Sequence, residues 1–173
     1  TQANLDTLAK RGARIVGPGA GELACGWIGE GRLIELDAII AAVEQCTTEP
    51  VLRAEVVLVN AGPTAEPIDP VRVITNRSSG KMGFAIAEAA ARRGAEVVLV
   101  AGPVSLATPQ GVHRIDVETA LEMRDAMLSA LPRATIVILA AAVADYTPAR
   151  AEAVKIKREK QDTLTISLLK NPD

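Results

Sequence analysis

Three short apolar runs constrain this chain more than any other feature: Val56-Val57-Leu58-Val59, Val97 to Ala101, and Thr135 to Ala141. The first two are too uniformly apolar to leave one face in water and read as buried strands, and the third reads as a further strongly apolar strand. Helical patterns separate them. One covers residues 84–93 and stops at Gly94. The other covers 118–131, where Ala120, Met123, Met127, Ala130 and Leu131 recur at helical spacing. Strands alternating with helices form right-handed crossovers, so the fold class is α/β: a Rossmann-like three-layer sandwich with a mostly parallel sheet, preceded by a short helical and loop segment. Ligands of such sheets bind beyond the carboxyl ends of the strands. The loops after Asn60, Ala101 and Ala141 are therefore the ones to inspect.

The rest of the chain is less regular. His113 to Val117 reads as a weaker strand, 149–162 as a charged segment, and 163–169 as a half-exposed strand. Upstream, residues 3–11 read as a helix ending at Gly12 and Ala13 to Gly17 as a short strand. The glycine-rich stretch 17–34 reads as a loop, and Asp37 as the cap of a helix over 38–46. Thr47 to Pro50 break the pattern, which places a boundary between a first part, 1–48, and a second, 49–173. The Asn171-Pro172-Asp173 end reads as a trimmed, C-terminally incomplete domain.

Aromatic residues are only 2% of the chain, so its core must come from small and branched aliphatics. A formal net charge of −2 provides no field for a polyanion, which argues against nucleic acid as a partner. No apolar run reaches the roughly 20 residues needed to span a bilayer, so no membrane partner is expected. The two cysteines, Cys25 and Cys46, lack disulfide-rich spacing, and a reduced, cytoplasmic setting is expected. Cys25 lies among glycines, in an exposed place for a thiol; Cys46, at a helix end, reads as structural. No His, Cys and Asp cluster has metal-ligand spacing, so no protein metal site is expected.

Four loops could carry chemistry. Gly62 to Arg72 follows a buried strand, and its three prolines stiffen it; it reads either as a connector or as the wall of a nucleotide site. Asn76-Arg77-Ser78-Ser79-Gly80-Lys81-Met82-Gly83 opens a helix. Its small residues admit an anion to the backbone N–H groups, with Arg77 and Lys81 adding charge. The bland alternative is an ordinary helix cap. It is no P-loop, because Met82 follows Lys81. The loop 141–148 holds Asp145 and Tyr146, placed to read a ribose hydroxyl or a base amino group, or simply to face solvent. Lys155-Ile156-Lys157-Arg158, with Lys160, reads as a solvated charge run, or as cations that close on a triphosphate. The Gly17-Pro18-Gly19-Ala20-Gly21 stretch lacks the strand–turn–helix setting of a dinucleotide fingerprint.

Taken together, several of these stretches resemble the phosphopantothenoylcysteine synthetase family. They are Ala61-Gly62-Pro63-Thr64 with Glu66, Ile68 to Arg72, Thr75 to Gly83, Ala140 to Tyr146, Lys155-Ile156-Lys157 and Leu169 to Asp173. The resemblance covers about residues 55–173. Residues 1–36, with Ala24-Cys25-Gly26, resemble the end of the flavoprotein decarboxylase fused to that synthetase in bacteria.

The resemblance, rather than any spacing or composition, implies a reaction and a set of roles. Cysteine is ligated to 4′-phosphopantothenate with CTP through an acyl-cytidylate, a step in coenzyme A biosynthesis that would make the chain a ligase. By the same resemblance Lys155 is tied to activation and Asn76 to turnover of the intermediate. Leu139, Ala140, Ala141, Asp145, Lys155, Pro172 and Asp173 would bind the nucleotide. Ser78, Ser79, Gly80, Lys81, Met82 and Gly83 would hold the substrate phosphate. Mg²⁺ would accompany the CTP. Cys25 matches the decarboxylase proton donor, whose FMN site would lie mostly upstream. A homodimer is expected, with larger homo-oligomers in the full-length protein. Departures from the family pattern stand at Pro63 and Tyr146. The rival readings are an NAD(P)-binding Rossmann oxidoreductase and an inactive assembly fragment.

Overall fold

A computed structural model describes residues 2–23, 25–157 and 163–172. The chain divides into two compact units, Thr1–Glu49 and Pro50–Asp173.

The first unit contains helix α1 (Gln2–Lys10), strands β1 (Gly19–Glu22) and β2 (Ile28–Arg32), and helix α2 (Leu36–Thr47). The expected loop over 17–34 is instead a hairpin, with β1 antiparallel to β2. Glycine-rich strands carry no hydrophobic alternation, so period reasoning does not find them. No strand forms over Ala13 to Gly17. The cap of α2 also differs: Glu35 is its N-cap, without a side-chain bond, and Asp37 lies in the first turn. Cys46 is exposed rather than packed, and its Sγ accepts from Arg14 Nη1 at 3.7 Å.

The second unit is built on a four-stranded parallel sheet. In chain order its elements are β3 (Val56–Ala61), β4 (Ala65–Pro67), β5 (Val73–Thr75), α3 (Lys81–Arg92), β6 (Glu96–Ala101), β7 (Val112–Asp116), α4 (Ala120–Ala130), β8 (Ile136–Leu139), β9 (Tyr146–Pro148) and β10 (Leu168–Lys170). A 3-10 turn, Leu131–Arg133, follows α4. The sheet order is β7-β6-β3-β8, and every pairing in it is parallel.

Side chains alternate across the pleat, and each set meets its own helix. Val57, Val59 and Ala61 with Val97, Leu99 and Ala101 pack on one face against Phe84, Ala87 and Ala90 of α3. Leu58, Val98 and Val100 pack on the other face with Met123 of α4. This is the expected three-layer α/β fold. The small residues of α3 allow a close approach. A Cβ built on Gly83 would stand 2.5 Å from the Ala61 Cβ. The start of α4 is secured by a capping box, in which Thr119 accepts from the Glu122 N–H and the Glu122 side chain bonds back.

Two small antiparallel pairs stand at the carboxyl rim of the sheet: β4 with β5, and β9 with β10. The sequence pattern predicts a loop for the first. For the second it predicts a strand over 163–169, whereas only Leu168–Lys170 pairs. Among the described residues no helix is long and apolar enough to cross a membrane.

Candidate functional site

The rim is organised by polar side chains near the ends of strands. Asn60, buried near the end of β3, accepts through Oδ1 from the N–H groups of Ala140 at 2.7 Å and Ala141 at 3.0 Å. This turns the chain where it leaves β8. It then runs beside residues 62–64: Ala142 N–H donates to Gly62 O at 2.8 Å, and Thr64 N–H to Ala142 O at 3.3 Å. The fully buried Thr64 accepts through Oγ1 from Ala144 N–H at 2.9 Å.

Asn76 stands at the base of the β4–β5 hairpin. Its Nδ2 donates to Ala142 O at 3.2 Å and Val143 O at 3.0 Å. Asn76 and the 140–145 segment are thus joined directly, although 66 residues separate Asn76 from Ala142. Asp145 is exposed, and its main chain is tied to the C-terminal segment. Asn171, buried, donates from its N–H to Asp145 O at 2.8 Å and from Nδ2 to Ala144 O at 2.7 Å. Pro172 follows exposed; Asp173, expected to contact the nucleotide, lies outside the described residues. Leu139 is 74% exposed at the end of β8, leaving an open apolar surface beside the turn.

The 76–83 loop starts α3 as expected, but the helix begins at Lys81 rather than at 84. Its N-cap is Gly80, at φ 72° in the left-handed region, with no side-chain cap. Ser78 Oγ accepts from Gly80 N–H at 3.4 Å. A Cβ on Gly80 would lie 3.3 Å from the Gly62 N and Cα, so the two loops touch backbone to backbone. The first turn of α3 therefore presents N–H groups, beside Ser79 and the exposed Lys81 and Met82, at the same rim. Such a turn suits a phosphate, because the helix end carries partial positive charge.

Lys155 comes to the hairpin through its neighbour. Asp69, with its side chain fully buried at the hairpin tip, accepts from the N–H groups of Val71 at 2.8 Å and Arg72 at 2.9 Å. Its Oδ2 accepts from Ile156 N–H at 3.0 Å and from Arg72 Nη1. Arg72 in turn donates to Ile156 O at 3.2 and 3.3 Å. Burial pushes the Asp69 carboxyl up, but the N–H groups of Ile156, Val71 and Arg72 and the Arg72 charge outweigh it and hold the carboxyl below its usual range. Lys155 and Lys157 are exposed on either side of this anchor; Arg158 and Lys160 lie outside the described residues.

Cys25 belongs to the first unit, exposed in the turn between β1 and β2; Ala24 lies outside the described residues. Two open clefts also border the second unit. One, of about 340 Å³, is lined by Lys81, Phe84, Glu88 and the 106–109 loop. The other, of about 460 Å³, is lined by Val104, Arg114, Asp116, Glu118 and Glu122. Neither contains Asn76, Asp145 or Lys155. Among the described residues no three His, Cys, Asp or Glu side chains converge to hold a metal ion.

In the sequence Thr64, Asp69 and Asn171 stand within the quoted motifs without individual roles, and Asn60 stands outside them. One signal was available: Asn60 is a polar residue near the end of a strand buried on both faces, and such a group needs partners.

The family whose profile matches residues 52–173 is described as DNA/pantothenate metabolism flavoprotein C-terminal domain. A Vibrio cholerae protein named Coenzyme A biosynthesis bifunctional protein CoaBC is 52% identical over 174 residues, covering 100% of this chain and 44% of its own length. The chain thus spans less than half the length of that relative. The crystal structure of the C-terminal domain of a CoaBC protein superposes with a TM-score of 0.61 at 43% identity, over 70% of this chain and 56% of that one. A Streptococcus pneumoniae structure named DNA/Pantothenate Metabolism Flavoprotein gives a TM-score of 0.60 at 24% identity, over 69% of this chain and 61% of that one, which speaks to the fold alone.

These findings overturn the identification as phosphopantothenoylcysteine synthetase, and with it phosphopantothenate–cysteine ligase as the enzyme class of this chain: the matching family is a flavoprotein one. The physical reason is that the quoted motifs shape a rim able to hold phosphate, and a fold with such a rim serves many reactions. By the match over residues 52–173, the chain belongs to the DNA/pantothenate metabolism flavoprotein C-terminal domain family.

Proposed function

We propose that residues 52–173 of this chain are the C-terminal-domain portion of a bifunctional coenzyme A biosynthesis protein, and that the sheet rim there binds a phosphorylated pantothenate intermediate beside a nucleotide. The observation that carries this reading is the joining of three loops at one rim. Asn76 is bonded to the Ala142–Val143 main chain, and the Gly80 start of α3 lies against Gly62. The named relative supports the pathway.

In this reading Ser78 to Gly83 take the phosphate ester, with Lys81 as counter-charge. Leu139 to Ala141, Asp145 and Pro172 border the nucleotide, and Lys155 neutralises its phosphates. CTP is the nucleotide we assign. Mg²⁺ arrives with it, held by phosphate oxygens rather than by a protein cage. The proposed phosphate turn also fits the phosphate of a flavin such as FMN, and the family is described as a flavoprotein one. The first unit, with Cys25, is assigned to the flavin-bearing portion of the longer protein. A cytoplasmic setting and a homodimer of the second unit complete the proposal.

The test is thermal shift and calorimetry with CTP, ATP, FMN, NADPH and 4′-phosphopantothenate separately, because a ligand of the folded state stabilises it by mass action. Stabilisation by CTP and by 4′-phosphopantothenate is expected. Stabilisation by FMN alone would move the site to flavin chemistry, and stabilisation by NADPH alone would return it to the oxidoreductase reading. No response to any of the five would end the proposal.

A further inference from the structure

A solvated charge run needs no anchor, yet the run around Lys155 has a costly one. The Asp69 side chain is fully out of water, and an ionised carboxylate there persists only with several donors around it. It has four. Two, from Val71 and Arg72, close the hairpin tip and would suffice for a local turn. The other two reach beyond the turn: Ile156 N–H, 87 residues away in sequence, and the Arg72 guanidinium, which itself holds Ile156 O. Both main-chain polar groups of Ile156 are thus gripped by one ion pair. A second main-chain bond, Glu152 N–H to Ile68 O at 2.9 Å, keeps the same two segments together. The grip fixes where two exposed cations, Lys155 and Lys157, leave the backbone, at the tip of the hairpin whose base is Asn76.

We infer that Asp69 and Arg72 are positioning residues, forming a clasp that holds Lys155 toward the phosphates of the ligand bound at the Asn76 rim. The inference rests on the nucleotide-binding reading above. A flexible lysine left free would lose orientation entropy on each binding event, and a fixed backbone removes part of that cost.

The experiment uses Asp69→Asn in the whole chain. The amide oxygen can still accept from Val71 and Arg72, while the amide nitrogen that replaces Oδ2 cannot accept from Ile156. Two readouts are taken. Hydrogen exchange is followed at Ile156 and, as reference, in β3 and β6. CTP affinity is measured for wild type, Asp69→Asn, Lys155→Gln and the double variant. Expected are exchange at least ten-fold faster at Ile156 with the strands unchanged, and CTP binding at least five-fold weaker. In the Lys155→Gln background, Asp69→Asn should add little, because the two act as one unit. Arg72→Lys, which keeps the charge but loses the fork, should show the same pattern in smaller measure. Unchanged exchange at Ile156 overturns the clasp whatever the ligand result. An equal loss of CTP affinity with and without Lys155 overturns its positioning role. Wild type that binds no CTP defeats the functional reading instead, and the exchange data still judge the clasp.

Discussion

Replacing Gly83 by Ala opposes two effects of known size. Alanine is the better helix former by about 1 kcal/mol, and Gly83 lies inside the first turns of α3, so propensity alone predicts stabilisation. The packing predicts the reverse. The added Cβ would sit 2.5 Å from the Ala61 Cβ, 3.0 Å from Asn60 O and 3.2 Å from the Ala61 Cα. None of these can swing away, because they belong to β3, which is paired on both sides by β6 and β8. Relief requires α3 to move off the sheet, and overpacking of this kind costs about 1–3 kcal/mol, with the upper end favoured by backbone contacts. The net expectation is a loss of about 1–2 kcal/mol. With a urea slope of about 2 kcal/mol/M, the unfolding midpoint should fall by roughly 0.5–1 M. Moving α3 also retracts its first turn from the rim, so 4′-phosphopantothenate should bind more weakly. Ala85→Gly, on the exposed side of the same helix, is the control and should cost about 1 kcal/mol without changing ligand binding. A Gly83→Ala protein as stable as wild type, or more so, would refute the close-packing argument.

Asn60→Leu removes the acceptor of two amides, and the resulting unsatisfied N–H groups should cost about 2–4 kcal/mol in urea unfolding; a loss below about 0.5 kcal/mol would show that they find other partners. Thr119→Ala breaks the capping box of α4 and should cost about 1 kcal/mol in the same assay, with Thr119→Ser restoring most of it. Asp69 adds a pH signature. Its folded carboxyl is held below the unfolded value near 3.9, so its contribution is fully present above that value and is lost as pH falls through the folded one. The stability difference between wild type and Asp69→Asn should therefore be flat above about pH 5 and shrink on acidification. A difference that grew toward low pH would mean the carboxyl is raised by folding.

The layered sheet was legible in the amino-acid sequence because its information is local. Val56 to Val59 and Val97 to Ala101 are apolar at every position, as the central strands β3 and β6 between two helical layers require; Ile136 to Leu139 is equally apolar, yet β8 is an edge strand that leaves Val137 and Leu139 exposed. The packing of Gly80 on Gly62 and of Gly83 on Ala61 was not legible: the small residues of this helix start read as room for an anion, and the neighbours they meet come from another part of the chain. The hairpins β1–β2 and β4–β5 were not, since glycines and prolines carry no period to read. Nor was the reaction class, which a rim suited to phosphate does not specify. Only the tertiary structure decided what organises that rim. Asn60 takes amides 80 residues away, Asp69 one 87 away, and Asn171 a carbonyl 27 away. Each is a side chain whose partner is a main-chain group, available at every residue, so the identity of the distant partner leaves no mark in the sequence; folding alone selects it, by excluding water from both.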